Sequence, residues 1–247
     1  MAHPQLHPLQ VNERTGEPFL RLSAPHDNII LTPPRLEDVP FMVHNLNDPR
    51  VYKTLSGPPF PYKEEHAVFW LDKIKSESDA LLRELDEASR EGSQPLKVVA
   101  GCPVRILRET QADGTDIFLG DIGIDRCGYP DVVDDDEQAR LAAENARLPV
   151  GHEDIVWCIG DYLAASHHGR GIMSAALGTL IRYWGIPRMN ARIIRAETFS
   201  GNEGSKRVFE KNGFVFEKEV DYPMVMQSGE TRLGFYVLWW RLAEQPL

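Results

Sequence analysis

The chain has 247 residues, 42% hydrophobic and 26% charged, with 37 acidic and 27 basic side chains for a net charge of −10. That length supports one full-sized core, and the acidic balance excludes a whole-surface nucleic-acid binder, which needs a basic footprint. No apolar run approaches the roughly 20 residues of a membrane span, and the polar residues 1–12 lack the apolar stretch of a secretory signal, so a cytoplasmic protein with no membrane partner is expected.

Residues 1–28 show little periodicity and are expected as an N-terminal arm over the surface. Ile29 to Thr32 reads as a short strand ended by Pro33 and Pro34. Leu36-Glu37-Asp38 opens a helix whose acidic residues suit the positive end of its dipole; Phe41, Met42 and Leu46 follow on it. Pro58, Pro59 and Pro61 stiffen the next loop. A second helix starts near Lys63, carries Ala67, Trp70, Leu71 and Ile74 at helical spacing, and runs past Leu85 to a stop at Gly92. Val98 to Ile106 and Asp116 to Ile124 read as strands, with Asp113-Gly114 as the hairpin turn between them. Residues 129–150 form an acidic insertion, most simply a solvated excursion. Ile155 to Leu163 is an apolar strand of central character. Gly169-Arg170-Gly171 follows, then a helix with Met173, Ala176, Leu177, Leu180, Ile181 and Trp184 on one face. Arg192 to Thr198 is a strand, and Asn202 to Lys211 a short helix closed by Asn212-Gly213. Phe214 to Val220 and Leu233 to Trp240 are the last strands. The pattern describes one mixed α/β domain over residues 29–242.

The strand–glycine turn–helix unit from Trp157 to Leu177 carries the chemistry. The first turn of a helix leaves backbone N–H groups unpaired and adds partial positive charge. Two glycines let a large anion approach those groups, which together make a cradle for a pyrophosphate. The other reading of Gly-x-Gly is a tight turn and nothing more. The dinucleotide pattern fails because Ser174 stands where its third glycine belongs, and the P-loop pattern lacks its Gly-Lys-Ser/Thr ending.

Leu163 to Leu177 resembles the acyl-CoA pyrophosphate loop of the GNAT superfamily. Asn202-Glu203-Gly204-Ser205 with Lys211-Asn212-Gly213-Phe214 resembles that superfamily's N-x-x-S … K-x-G-F helix. Leu119 to Ile124 resembles its third strand, and Leu31 to Asp38 its start in the RimJ/RimL-like branch. The order and spacing of the four pieces, over roughly residues 29 to 242, are the specific signal. The resemblance implies an α/β (α+β) fold, with a mixed central sheet of about seven strands, helices on both faces, and a splayed fourth and fifth strand pair. It implies an N-acetyltransferase that moves an acetyl group from acetyl-CoA to a primary amine, a protein N-terminus or a small molecule, without a metal. The alternative is a non-catalytic acyl-CoA-binding protein of the same fold. Ser166 departs from the family's usual Gln or Arg, and Phe209 stands where many members carry a tyrosine acid.

Carried onto this sequence, the resemblance assigns cofactor contacts to Leu163, Ala165, His168, Gly169, Arg170, Gly171, Ile172, Met173, Asn202, Ser205 and Lys211. Asn202 also suits a helix N-cap. Lys206, Arg207 and Lys211 either meet the 3′-phosphate or form a solvated face. Ser205 is the candidate donor to the leaving thiolate. Asp161, Glu197 and Asp121 are the candidate proton acceptors, none singled out over the others. Phe60 and Tyr62 are candidates for the acceptor side. Cys158, in an apolar strand, reads as a core thiol. His167-His168 lacks a third ligand for a metal.

Overall fold

The computed structural model describes residues 4–92, 95–226 and 229–243. Its nine strands are β1 (Gln10–Val11), β2 (Pro18–Arg21), β3 (Ile29–Thr32), β4 (Ile106–Thr110), β5 (Asp116–Arg126), β6 (Val156–Leu163), β7 (Ile193–Phe199), β8 (Val215–Val225) and β9 (Thr231–Arg241). They form one sheet in the order β1-β2-β3-β4-β5-β6-β7-β9-β8. Every pairing is antiparallel except β6 with β7. The helices are α1 (Val39–Leu46), α2 (Pro49–Tyr52), α3 (Glu64–Arg90), α4 (Asp135–Arg147), α5 (Ile172–Leu180), α6 (Ile186–Met189) and α7 (Glu203–Glu210), with a π-helical turn over Ile181–Gly185 joining α5 to α6.

The two strands beyond the expected seven come from residues 10–21. That segment, expected as a surface arm, extends the sheet edge and buries Leu9, Phe19, Leu20 and Leu22. Arg188, fully buried at the end of α6, holds residues 4–8 in place by donating to the Gln5 carbonyl at 2.6 Å and to that of His7. The strand expected over Val98 to Ile106 begins only at Ile106. Gly101 and Pro103 break its ladder, and Val99 instead donates to the carbonyl of Arg188 at 2.8 Å.

The two sheet faces carry different cores. On one, Trp157, Ile159 and Leu163 of β6 and Ile194 and Ala196 of β7 pack against Ile172, Met173, Ala176, Leu177 and Leu180 of α5. On the other, Met42 and Leu46 of α1 and Ala67, Leu71 and Ile74 of α3 pack on Ile106 and Phe118. The helical period of the buried residues on α3, Ala67, Leu71, Ile74, Ser78, Leu85 and Ala88, explains why its 27 residues hold together. The acidic insertion contains α4, and it is only partly solvated: Tyr129, Asp131 and Asn145 are buried. No helix among the described residues is long and apolar enough to cross a membrane.

Candidate active site

β6 and β7 pair only through Val156/Ile193, Trp157/Ile194 and Cys158/Arg195. Beyond Cys158 the two strands diverge, while β6 stays paired to β5 as far as Gly120/Leu163. Parallel strands that separate expose main-chain groups on their facing edges. The Tyr162 carbonyl lies against Gly120 of β5, so by the alternation of a strand the carbonyl of Leu163 points into the gap.

A cavity of about 420 Å³ opens at the end of β6. Its walls are Asp161, Tyr162 and Leu163 of β6, the turn and first residues of α5, α7, and the α2 region. Gly171 is the N-cap of α5 at φ +81°, with no side-chain cap, and the first helical bond is Ala175 N–H to the Gly171 carbonyl at 3.0 Å. The amides of Ile172, Met173 and Ser174 therefore stand at the cavity without intrahelical acceptors. Gly169, also at positive φ, has open space where a side chain would be. An anion at these amides meets partial positive charge.

Of the residues expected to contact a cofactor, Leu163, His168, Gly169, Gly171, Ile172, Met173, Asn202, Ser205 and Lys211 line the cavity. Ala165 and Arg170 do not. Ala165 packs with the α1/α3 core, and Arg170 turns toward Glu109 at 4.0 Å. His167 also reaches Glu109, at 3.6 Å, and His168 Nε2 pairs with the Leu163 carbonyl at 2.8 Å. Asn202 combines two roles, since its Oδ1 accepts from Ser205 N–H at 3.2 Å as an N-cap while the residue lines the cavity. The basic trio divides. Arg207 and Lys211 line the cavity, one turn apart on α7, while Lys206 lies over the rings of Phe216 and Tyr236 at 4.7 Å each. Phe209 is buried against Phe214 and brings no hydroxyl.

The carboxyls occupy different surroundings. Asp161 shares the α5 side of β6 with Ile159 and Leu163, and burial, reinforced by the charge of Asp121, pushes it up to about 7. Glu197 lies on the other face of β7, outside the cavity wall, and burial raises it to about 7 as well. Asp121 is 4% exposed and paired to Arg105 at 2.7 Å, a structural ion pair. The Cys158 thiol is driven far above its ordinary value by the neighbouring Cys127 thiol and by burial, so it is no nucleophile at neutral pH. Phe60 packs against Tyr52 in a tilted pair with centroids 4.2 Å apart, and Tyr62 is buried beside Met42 and Leu71; neither lines the cavity. The wall on that side is Arg50, Val51, Thr54 and Leu55, which the sequence reading did not single out. Asp48-Pro49 carried the available signal, a cap residue followed by proline at the first helical position.

A helix start with open amides, beside parallel strands that part, has room and partial charge for a phosphate-bearing ligand. The family model described as an acetyltransferase (GNAT) domain matches residues 28–215, and the chain belongs to that family. It is an acetyl-CoA-dependent N-acetyltransferase, with one open mixed sheet of nine strands. Among solved structures, the microcin C7 self-immunity acetyltransferase MccE, in complex with acetyl-CoA and AMP, aligns at TM-score 0.56 and 15% identity, over 87% of this chain and 93% of that one. RimL, the ribosomal L7/L12 alpha-N-protein acetyltransferase in complex with coenzyme A, aligns at 0.53 and 13%, over 91% and 98%. Mycobacterium smegmatis RimJ in complex with CoA-disulfide aligns at 0.52 and 20%, over 91% and 86%. At these identities the likeness is one of fold. No curated protein sequence matches the chain.

Proposed function

We propose that the chain acetylates a primary amine, with a protein N-terminus as the first class to test and a small-molecule amine as the second. The observation that supports this reading is the cavity that brings Leu163 at the end of β6 together with the first residues of α5, Asn202 and Ser205. The amides of Ile172, Met173 and Ser174 hold the pyrophosphate of acetyl-CoA, and Arg207 and Lys211 face its 3′-phosphate. The main chain of Leu163 pairs with the pantetheine arm, which brings the thioester to the point where the strands part. Holding the two reactants in line supplies several kcal/mol through proximity, on the order of the effective molarities of oriented reactions. The amine loses a proton to a carboxylate, its nitrogen attacks the thioester carbonyl, the C–N bond forms and the C–S bond breaks. Ser205 donates to the departing thiolate. A cytosolic setting accords with three unpaired cysteines.

The test incubates the protein with acetyl-CoA and a panel of peptides bearing free N-termini and small primary amines, and follows free thiol. Thiol release dependent on one acceptor class supports the reading. Binding of CoA without thiol release for any member of the panel makes the protein a binder and overturns it.

A further inference from the structure

The turn ahead of α5 brings amides to the cavity but no guanidinium or ammonium group. Arg170 is turned out toward Glu109, at 4.0 Å, and lies outside the cavity wall. Ser166 stands where the family resemblance implies a Gln or Arg, and its hydroxyl lies 2.9 Å from His167 Nδ1. The arginine and lysine side chains that line the cavity come from other elements, Arg207 and Lys211 from α7 and Arg50 from α2. A diphosphate held by amides alone keeps most of its charge uncompensated, and the planar fork of an arginine matches its oxygens.

Arg50 is oriented before any ligand arrives. Asp48 is the N-cap of α2 and accepts from the Arg50 amide at 2.9 Å. The same carboxylate takes Arg50 Nε at 3.0 Å on one oxygen and Nη2 at 2.7 Å on the other. A two-point contact of this kind fixes the plane of the guanidinium. It leaves the Nη1 donors without a partner among the described residues, on a side chain that is 68% exposed. The hydrogen bonds from Arg50 hold Asp48 down to about 2, and the charge of His168 adds to the effect. The pair is therefore intact across the neutral range, and it stands within electrostatic reach of the turn that leads into α5. Val51, Thr54 and Leu55 line the cavity with Arg50, so this segment is a wall of the same cavity that holds the α5 amides.

We infer that Arg50 is a phosphate-binding residue that meets the pyrophosphate of acetyl-CoA from the α2 side and supplies the cation that Ser166 and Arg170 do not. This deepens the transferase reading and rests on the cofactor half of it. The amides of Ile172, Met173 and Ser174 take part of the diphosphate, and the Nη1 edge of Arg50 takes oxygens they leave. The 3′-phosphate has Arg207 and Lys211 of α7 facing it, whereas the α5 amides have no cation of their own turn beside them. Asp48 holds the guanidinium in one orientation, so less side-chain freedom is lost when the ligand binds.

The test compares wild type, Arg50→Ala and Arg50→Lys. Calorimetry gives the dissociation constants of CoA and dephospho-CoA, and ligand-observed NMR gives that of pantetheine. We expect Arg50→Ala to weaken CoA and dephospho-CoA alike, by about tenfold, as loss of a charge-assisted hydrogen bond does. Pantetheine, which has no phosphate, keeps its wild-type value. Arg50→Lys recovers part of the loss, because an ammonium keeps the charge without the fork. Phosphorus NMR of bound CoA reads the position: the pyrophosphate resonances move in Arg50→Lys and the 3′-phosphate resonance stays. Unchanged CoA affinity in Arg50→Ala overturns the inference. A loss for CoA that dephospho-CoA does not share puts Arg50 at the 3′-phosphate and overturns it as well. An equal loss for pantetheine makes Arg50 a packing residue of the wall, and a raised acceptor KM with CoA binding intact makes it an acceptor contact; either result sinks the proposal. These failures leave the transferase reading standing. A wild type that binds CoA and releases no thiol sinks that reading alone, and one that binds neither CoA nor dephospho-CoA sinks both.

Discussion

A side chain at Gly120 would place its β-carbon 2.1 Å from the carbonyl oxygen of Tyr162, closer than any real contact allows. That closeness keeps the end of β6 tight against β5 and leaves the Leu163 carbonyl turned toward the cavity. Gly120→Ala must push the strands apart, and overpacking of this kind costs about 1–3 kcal/mol. The melting temperature and the CoA affinity should both fall. A variant with wild-type values of both would show that the strand end is free to shift.

Gly171 is the second glycine with a geometric reason. It sits at φ +81°, where a β-branched residue is strained, and its neighbours Ile172 and Met173 present the amides. Gly171→Val should weaken CoA binding by at least tenfold, about 1.4 kcal/mol. Calorimetry on the folded variant checks this, and unchanged affinity would count against the phosphate cradle.

Asp161 lies in the cavity wall with its carboxyl raised to about 7 by burial and the charge of Asp121. Folding holds its proton that the unfolded chain releases near pH 4. Its contribution to stability therefore declines as pH rises from about 4 to about 7, because the native state binds more protons over that window. Asp161→Asn should melt about 2–4 °C higher than wild type at pH 8 and should match it near pH 4. CoA is an anion, so its affinity should fall as Asp161 ionises through pH 7 in the wild type and stay flat in the variant.

Ser205 lines the cavity with its amide already engaged by Asn202. Ser205→Ala should lower kcat by about tenfold or more while leaving the CoA dissociation constant in place, as loss of a donor to developing charge does. An unaltered maximal rate removes that role.

Arg207 and Lys211 face the cavity one turn apart, while Lys206 is committed to two aromatic rings. Replacing both Arg207 and Lys211 with alanine should weaken CoA by about tenfold and leave dephospho-CoA binding nearly unchanged. The difference should shrink with salt, since exposed charges are screened over about 8 Å at physiological ionic strength. Equal weakening of the two ligands would place these cations on the pyrophosphate instead.

Asn202, Gly169 and Gly171 were legible as candidates because an N-cap and a helix start need only adjacent residues. The apolar face of α5 was equally plain, for the same reason of short-range periodicity. Residues 10–21 were not legible as strands, because β1 and β2 are two and four residues long and gain their stability from the sheet edge they join. The α2 wall was missed because a one-turn helix leaves no periodic pattern. Phe60 and Tyr62, named as acceptor neighbours, fold into aromatic and core contacts beside that wall.

The order of elements and the chemistry of the turn after β6 were determined by sequence alone, since hydrophobic period, glycine placement and capping residues act over a few positions along the chain. Only the tertiary structure decided which carboxyl lies in the cavity wall, and which of three clustered cations meet the cavity. It alone joined Asp131 of the insertion to Arg195 and Glu197 of β7. Those relations depend on strand register and on burial, and both arise from contacts between residues far apart in the chain.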